Sequence, residues 1–341
     1  EMFVGSDALA LAPMTTRITY LEEGDWAVVT RAGAEIHDEA GRIANRPVQV
    51  VSPSSVQIDK AGHRHFMAKE IHEQPTVSTY ALAHYVDAAT GLIRSEAEAV
   101  DFAQVDRLVL VACGTGHYAC AIAKYWFERI ARLPVECDIA SEFRYREPPL
   151  SGRDAAVFVS QSGETADTLA ALRYAAPHVG HVLSVVNVAE SSIARESQIV
   201  LPILAGPEIG VASTKAFTSQ LVTLGALAIL AARQRGAIDE DEERRLVRIL
   251  SEAPRKLSEA IACAPEIEAA AITLAEARDV LYLGRGPLFP LAMEGALKLK
   301  EISYIHAEGY ASGELKHGPI ALVDSSVPVV VLAPRDGLFE K

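Results

Sequence analysis

The chain has 341 residues and a formal net charge of −13 at pH 7, with half of its residues hydrophobic and 6% aromatic. This length is enough for two domains, and the wealth of Ala and Leu favours helix-covered parallel sheets over a β-sandwich. Because there is no basic stripe to displace the counterions of a polyanion, the acidic balance argues against nucleic acid and anionic membranes as partners.

The four cysteines lack the spacing of a zinc site, which indicates a reduced, cytoplasmic protein. The longest apolar stretch, 221–232, is too short to span a bilayer, so no membrane segment is predicted. The chain starts without Met, in what looks like the middle of a strand, and stops just after a predicted strand. We therefore expect it to be a piece of a longer protein.

Residues 1 to about 70 predict a β-rich segment. Alternation at 16–21, a turn at 22–25 and an apolar run at 26–30 predict two strands, and 34–37 continues the meander. The segment is too small to hold a substantial core alone. We expect it to be the tail of a larger β-rich domain.

A polar, helix-prone connector at 63–85 precedes an alternating pattern of strands and helices. Such alternation is typical of a doubly wound, flavodoxin-like parallel sheet flanked by helices, which binds ligands at the carboxyl ends of its strands. Apolar runs predict strands at 108–112, 135–139, 155–159, 182–186 and 199–203, and helices at about 117–132, at 165–176 and from 215 to about 233.

The stretch from Ser160 to Thr165, Ser-Gln-Ser-Gly-Glu-Thr, joins the third of these strands to a helix. Such a turn leaves backbone N–H groups free at the positive end of the helix, where a phosphate can bind. The hydroxyls of Ser160, Ser162 and Thr165 can add neutral hydrogen bonds. Ordinary N-capping by Ser162 or Thr165 would explain one hydroxyl but not three, so the loop is interpreted as an anion site.

The strand-turn-helix pattern repeats in the last third of the chain. Residues 280–286 again give an apolar strand and a Gly-x-Gly turn, 307–310 echoes 140–143, and 329–332 takes the place of the third strand. The Gly-x-Gly turns alone are weak signals, since neither has the third glycine and downstream acid of a dinucleotide site. No hydroxyl loop follows the last strand, so we expect the first copy to hold phosphate and the second to carry chemistry.

A second group of polar residues lies in that second copy. Lys298 and Glu301 are three residues apart and share one face of a predicted helix, and His317 precedes a Gly-Pro pair. Taken alone, such a pair is more often a solvated ion pair that contributes little, and such a histidine is more often a turn residue. The residues by themselves leave both interpretations open.

Four strings of the sequence resemble the glucosamine-6-phosphate synthase family, and the resemblance extends over essentially the whole chain. A serine-rich loop is shared by sugar-isomerase (SIS) domains in general, whereas the two longest strings are specific to the synthases. The strings are HRHFMAKEIHEQP, SQSGETADTL, EIGVASTKAFTSQL and EGALKLKEISYIHAEGYASGELKHGPIAL.

The resemblance implies an α/β fold of tandem SIS-type parallel-sheet sandwiches, preceded by the tail of an amidotransferase domain. Residues 1–70 would be the end of the glutaminase domain. The nucleophile of that domain is the cysteine that begins the mature protein, and Glu1 is not that residue. Residues 71–95 would be the interdomain linker and 96–255 the first, sugar-phosphate-binding SIS domain. Residues 256–341 would be an incomplete second SIS domain with catalytic residues.

The resemblance also implies the site residues. His317 would act in the site of a neighbouring subunit, so a homodimer is expected. Gly116 stands where the bacterial pattern has Ser, and the catalytic lysine of the family's C-terminal tail would follow Lys341. The implied substrate-binding residues are Thr115, Ser160, Gln161, Ser162, Thr165, Val211 and Ser213, and the implied catalytic residues are Lys298, Glu301 and His317.

The implied reaction converts fructose 6-phosphate and glutamine into glucosamine 6-phosphate and glutamate, the first step of hexosamine synthesis, with glutamine-derived ammonia as the transferred group. His317 would open the sugar ring, because imidazole exchanges protons near neutral pH. Glu301 would move a proton from C1 to C2, and Lys298 would keep it ionised and stabilise negative charge. No metal or organic cofactor is called for.

Two other functions fit the same fold. One is a fructosamine-6-phosphate deglycase or another SIS-fold isomerase without amide transfer, against which the β-rich N-terminal segment argues. The other is a non-catalytic sugar-phosphate sensor, which would keep the hydroxyl loop but has no use for Lys298, Glu301 and His317 together.

Overall fold

The computed structural model describes residues 2–5, 11, 14–22, 24–50, 59–337 and 339; Glu1, Glu23 and Lys341, used in the predictions above, lie outside them. The chain divides into two compact units, residues 1–59 and 60–341. The first unit contains two antiparallel strand pairs, which confirms its predicted β-rich character. The pairs are β1 (Arg17–Thr19) with β4 (Val48–Val50) and β2 (Trp26–Val29) with β3 (Ala34–His37).

The second unit begins with helix α1 (Phe66–Tyr85), as the connector predicted. The five predicted strands follow to within one residue of their expected ends. The elements are β5 (Arg107–Ala112), α2 (Gly114–Trp126), β6 (Val135–Ile139), α3 (Ala140–Arg146), β7 (Asp154–Ser160), α4 (Ala166–Ala175), β8 (His181–Val186), α5 (Ser192–Glu196), β9 (Ile199–Pro202) and α6 (Lys215–Gln234).

Helix α2 differs from its prediction at both ends. We expected it to begin near residue 117, after a glycine-containing turn. Cys113 is the last extended residue, so the turn is itself the first turn of the helix, which begins at Gly114. The α-helix ends at Trp126 and continues as one π-helical turn, Phe127–Ala131.

The five strands form one parallel sheet in the order β6-β5-β7-β8-β9, which confirms the predicted doubly wound architecture. Ala112 at the end of β5 lies opposite Ile139 in β6 and Val159 in β7. These three strands therefore end at the same level. The loops that follow them meet at one edge of the sheet, where ligands of such folds bind.

Helices cover both faces of this sheet. On one face, α2 and α6 pack on strand residues such as Leu110, with Leu227 of α6 in the same core. On the other, α3, α4 and α5 enclose Phe158 together with Leu172. Helix α6 is long and apolar enough to cross a membrane, but its most apolar window is 83% buried inside the unit. Such burial is typical of the core helix of a globular domain.

The remaining elements form the second copy of the pattern. Its three strands are parallel in the order β11-β10-β12, the relation that β6, β5 and β7 have in the first copy, so the predicted repeat is confirmed. The elements are α7 (Glu240–Ser251), α8 (Ala253–Ala262), α9 (Ala264–Leu274), β10 (Asp279–Gly284), α10 (Leu288–Ser303), β11 (His306–Ala311), the 3₁₀ turns Ser312–His317 and Pro319–Leu322, and β12 (Val329–Val331).

One predicted correspondence within the repeat is wrong. Residues 307–310 were expected to echo 140–143, but they lie in strand β11, whereas 140–143 begin helix α3. Because β11 pairs with β10 as β6 pairs with β5, β11 corresponds to β6. The counterpart of α3 is therefore the 3₁₀ turn at Ser312–His317, which places His317 at the end of that turn.

Candidate active site

A cavity of about 180 Å³ lies at the carboxyl ends of β5 and β7, where the sheet topology predicts a ligand site. Six of the seven predicted substrate-binding residues line it. Its lining consists of Cys113, Thr115, Gly116, Val159, Ser160, Gln161, Ser162, Thr165, Ser213 and Gln220.

Two helices begin at this cavity. Neither Cys113, which precedes α2, nor Thr165, which precedes α4, caps its helix with a side-chain hydrogen bond. The Ser162 hydroxyl accepts from the N–H of Glu164, which is in the loop and not in the helix. The alternative of ordinary N-capping is therefore not what the loop does. Two uncapped helix N-termini give the cavity a positive potential suited to an anion.

The hydroxyl loop is held by its own side chains. The Ser160 and Thr165 hydroxyls lie 3.0 Å apart, and the N–H of Gly163 donates to Ser160 Oγ over 3.0 Å. Gly163 has φ +68°, and a Cβ there would lie 1.9 Å from Ser191 Oγ, so only glycine fits. The N–H of Ser192 donates to the Glu164 carboxylate, which holds it at the start of α5, and Glu164 is not among the lining residues of the cavity.

Gln220 is a lining residue that the sequence analysis missed. It is buried in α6, and its Oε1 has no hydrogen-bond partner in the described part of the chain. An unpaired buried acceptor is costly unless a ligand or water supplies a donor. The signal in the sequence was a large amide in a helix that is mostly apolar.

The second polar cluster lies next to this cavity, because α10 of the second copy packs against α2 of the first. Lys298 Nζ donates to Thr115 Oγ1 over 2.9 Å and lies 2.7 Å from Glu301 Oε2. Thr115 Oγ1 in turn donates to Glu294 Oε1 over 3.1 Å, and Lys298 Nζ lies 3.4 Å from the same oxygen. The pair Lys298–Glu301 is therefore part of a half-buried network that reaches the cavity through Thr115.

Glu294 is the second residue that the sequence analysis missed. Burial raises the pKa of its carboxyl to about 7, against the opposing effects of Lys298 and the Thr115 hydroxyl. Near neutral pH this group is divided between its acid and its base form, a property common among catalytic carboxyls. The signal in the sequence was its position four residues before Lys298.

This raised pKa predicts how stability changes with pH. Between 4.5 and about 7 the folded chain holds a proton on Glu294 that the unfolded chain releases, so this group lowers stability as pH rises through that window. We expect Glu294→Gln to remove this loss of stability. Between pH 4.5 and about 7, its free energy of unfolding should rise relative to that of the parent by up to about 3 kcal/mol. The free energy of unfolding, measured with denaturant at both limits, checks this.

The exposed Glu268 of α9 supplies the matched control for that experiment. Glu268→Gln makes the same chemical change without burial, so its difference from the parent should be small and equal at both pH values. A Glu294→Gln difference that is equally flat with pH would contradict the raised pKa.

Three predicted site residues differ in their position relative to the cavity. Ser213 lines the cavity and donates to Glu208 Oε2 over 2.8 Å. Val211, on the same loop, is 94% exposed and does not line the cavity. His317 is exposed at the end of its 3₁₀ turn and is also not among the lining residues. Within one chain, the structure brings Lys298 and Glu301 to the cavity that the hydroxyl loop lines, and His317 is not among the residues that line it.

Gly116 stands where the bacterial pattern of the resembled family has serine. A Cβ there would lie 3.3 Å from both Val159 O and Ala112 Cβ, which is a tight contact. The close approach of α2 to the end of β7 therefore suits glycine. Across the described residues, no group of three or more His, Cys, Asp or Glu side chains is placed to hold a metal ion.

Comparison with known proteins finds the SIS domain family over residues 101–230 and 273–341. Glutamine–fructose-6-phosphate aminotransferase (isomerizing) of Brucella abortus is 62% identical over 341 residues, and that of Rhizobium meliloti is 58% identical over 342. Both alignments include all of this chain and 56% of the relative. The chain thus spans little more than half the length of these curated relatives.

A solved structure agrees with these matches. The C-terminal domain of glucosamine-fructose-6-phosphate aminotransferase from Francisella tularensis superimposes with a TM-score of 0.80 at 40% sequence identity. The superposition covers 83% of this chain and 80% of that one.

Proposed function

Since the chain belongs to the SIS-domain family, and within it to the glutamine–fructose-6-phosphate aminotransferases, we propose that it carries the sugar-phosphate site of such an enzyme. The complete protein would convert fructose 6-phosphate and glutamine into glucosamine 6-phosphate and glutamate. The observation that carries the proposal is the hydrogen bond from Lys298 to Thr115, because it joins the acid–base cluster on α10 to the lining of the cavity.

The 6-phosphate would bind at the hydroxyl loop. Ser160, Ser162 and Thr165 supply neutral donors there, and the uncapped starts of α2 and α4 supply backbone N–H groups and a favourable dipole. With Glu164 held by the N–H of Ser192, the cavity offers these donors without a loop carboxylate to repel the anion.

We expect Ser162→Ala to weaken binding of fructose 6-phosphate to the chain by roughly 10- to 150-fold, since a hydrogen bond to a charged group contributes about 1.5–3 kcal/mol. Isothermal calorimetry measures the change. Ser258→Ala, on the exposed surface of α8, is the matched control and should bind as the parent does. Equal affinity of the parent and Ser162→Ala would remove this hydroxyl from the phosphate site.

The isomerisation would be carried by the cluster on α10. Once ammonia has condensed at C2 of the open-chain sugar, a base must take the proton from C1 and return it at C2. Glu301 is the candidate, with Lys298 Nζ at 2.7 Å to hold it ionised and to stabilise the negative charge that develops. Glu294, whose carboxyl has a pKa near 7 and accepts a hydrogen bond from the Thr115 hydroxyl, would exchange a proton at this edge of the cavity.

Ring opening needs a separate acid–base group, and His317 is the candidate. It lies apart from the cavity of its own chain, so the proposal requires a homodimer in which His317 completes the site of the partner subunit. The finer domain assignment is part of the same proposal: residues 1–70 as the end of a glutaminase domain, 71–95 as linker, 96–255 and 256–341 as the two SIS domains. A cytoplasmic location is likewise proposed.

The experiment that tests the function uses the full-length protein with fructose 6-phosphate and glutamine. Formation of glucosamine 6-phosphate together with one glutamate per sugar would support it. Interconversion of sugar phosphates without glutamate release would favour an isomerase or deglycase. Binding without turnover of any of these substrates would favour a sensor.

A further inference from the structure

The loop at 208–214, here called the sugar loop, carries Ser213 into the cavity and is closed at its base by one carboxylate. Glu208 accepts hydrogen bonds from the N–H groups of Thr214 and Ala216, at 2.8 and 3.1 Å, and from the Ser213 hydroxyl at 2.8 Å. These bonds join the first residue of the loop to its end and to the start of α6. None of them reaches its outer part, Ile209 to Ala212.

The outer part is held by a residue of α1. Glu70 is 2% exposed, and its Oε1 accepts from the N–H of Ile209 at 2.6 Å. The N–H of Gly210 lies 3.1 Å from both carboxylate oxygens. Two successive backbone donors thus share one buried carboxylate, an arrangement in which hydrogen bonds to a charge are strong.

Gly210 shows how close the sugar loop lies to α1. A Cβ on this residue would be 2.5 Å from Glu70 Oε2 and 3.2 Å from the Cα of Met67, so any side chain would push the loop off the helix. A second link lies next to it. Lys215, 4% exposed at the start of α6, pairs with Glu73 of α1 over 2.8 Å.

We propose that Glu70 is a positioning residue for the sugar site: its hydrogen bonds go to Ile209 and Gly210, which do not line the cavity, and they hold the sugar loop that carries Ser213 to the cavity. This inference rests on the proposed binding of fructose 6-phosphate. Because α1 is the first helix after residues 1–59, the shape of the sugar site depends on whether this connector is docked. By linkage, sugar phosphate and the docking of α1 strengthen each other.

The test compares two buried carboxylates. Glu70→Gln removes the charge and replaces one acceptor oxygen by an NH₂ group, which cannot accept from Gly210, while the remaining oxygen can still accept from Ile209. The control is Glu243→Gln, because Glu243 is also fully buried and accepts from a backbone N–H, that of Ile93 at 2.9 Å, but lies on α7 and does not touch the sugar loop. Both variants should lower the melting temperature, so stability alone does not distinguish a positioning role from a structural one.

Affinity for fructose 6-phosphate distinguishes the two roles. Measured by calorimetry on the chain well below the melting temperature of each variant, the dissociation constant should rise at least about tenfold in Glu70→Gln and stay within twofold in Glu243→Gln. Gly210→Ala is the second variant, since it displaces the loop and leaves Glu70 in place, and it should lose affinity in the same way. Hydrogen exchange at 208–214 should become faster in both loop variants.

The outcomes are separable. Parental affinity in Glu70→Gln and Gly210→Ala overturns the positioning role and leaves the proposed function standing. An equal loss in Glu243→Gln also overturns it, because the effect would then follow general destabilisation. Failure of the parent itself to bind fructose 6-phosphate counts against the proposed function, independently of Glu70.

Discussion

Replacing Glu301 by glutamine in the full-length protein should lower the rate of glucosamine 6-phosphate formation by roughly 10²- to 10⁴-fold, the usual contribution of a general base. The amide keeps the shape of the side chain and a contact to Lys298 Nζ, which in the parent lies 2.7 Å from Glu301 Oε2. It cannot take the proton from C1. Product formation followed by mass spectrometry gives the rate, and calorimetry gives the affinity for glucosamine 6-phosphate, which should change little.

A matched control for this substitution exists on the surface. Glu266 is exposed on α9 and is not a member of the Lys298–Glu301–Glu294 cluster, so Glu266→Gln makes the same change of charge and should keep parental activity. Full activity of Glu301→Gln would make this carboxylate a structural partner of Lys298. The proton transfer would then have to be assigned to Glu294, the other carboxylate of the cluster.

Mixing two inactive variants should restore activity if His317 works across a subunit interface. In a full-length dimer formed from Glu301→Gln and His317→Ala chains, one site holds both intact residues and the other holds neither. With random pairing, half of the dimers are mixed, so about a quarter of all sites should be complete. We therefore expect about a quarter of the parental rate from two chains that are each almost inactive alone.

The formation of mixed dimers is checked by native mass spectrometry after co-expression with two different tags. A chain that carries both Glu301→Gln and His317→Ala, mixed with the parent chain, provides the converse control: if His317 acts in the partner's site, neither site of this mixed dimer is complete, whereas if His317 acts in its own chain, the parent's site stays complete. If mixed dimers form and show no more activity than either variant alone, then His317 acts within its own subunit or has no part in the reaction.

Much of the fold followed from local patterns. All seven residues of β7 are buried, and its apolar run at 155–159, bounded by turns, is a strong strand signal. The hydroxyl loop could equally be predicted from the sequence, because its six residues are consecutive and the strand and helix on either side fix its geometry. Site residues that are neighbours in the sequence can be found from the sequence.

The rest of the site depends on packing between distant elements. Thr115 and Lys298 are 183 residues apart, and they meet only because α10 packs on α2. Gln220 and Glu294 were missed for the same reason, since what distinguishes them is burial beside the cavity and not residue type. The correspondence of 307–310 with 140–143 was wrong because two similar short sequences form a strand in one place and a helix in the other. Residues 307–310 form a strand because they pair with β10.

The strand order β6-β5-β7-β8-β9 lets the sheet grow in the direction of protein synthesis. Once β5 has left the ribosome, every later strand finds its neighbour already made, first on one side and then three times in succession on the other. Helix α6, which covers one face together with α2, is made only after all five strands. While residues 203–234 are being added, on the order of seconds at ~5–20 residues per second, the part of that face that α6 covers stays exposed. During this interval the exposed apolar surface makes the nascent chain prone to aggregation.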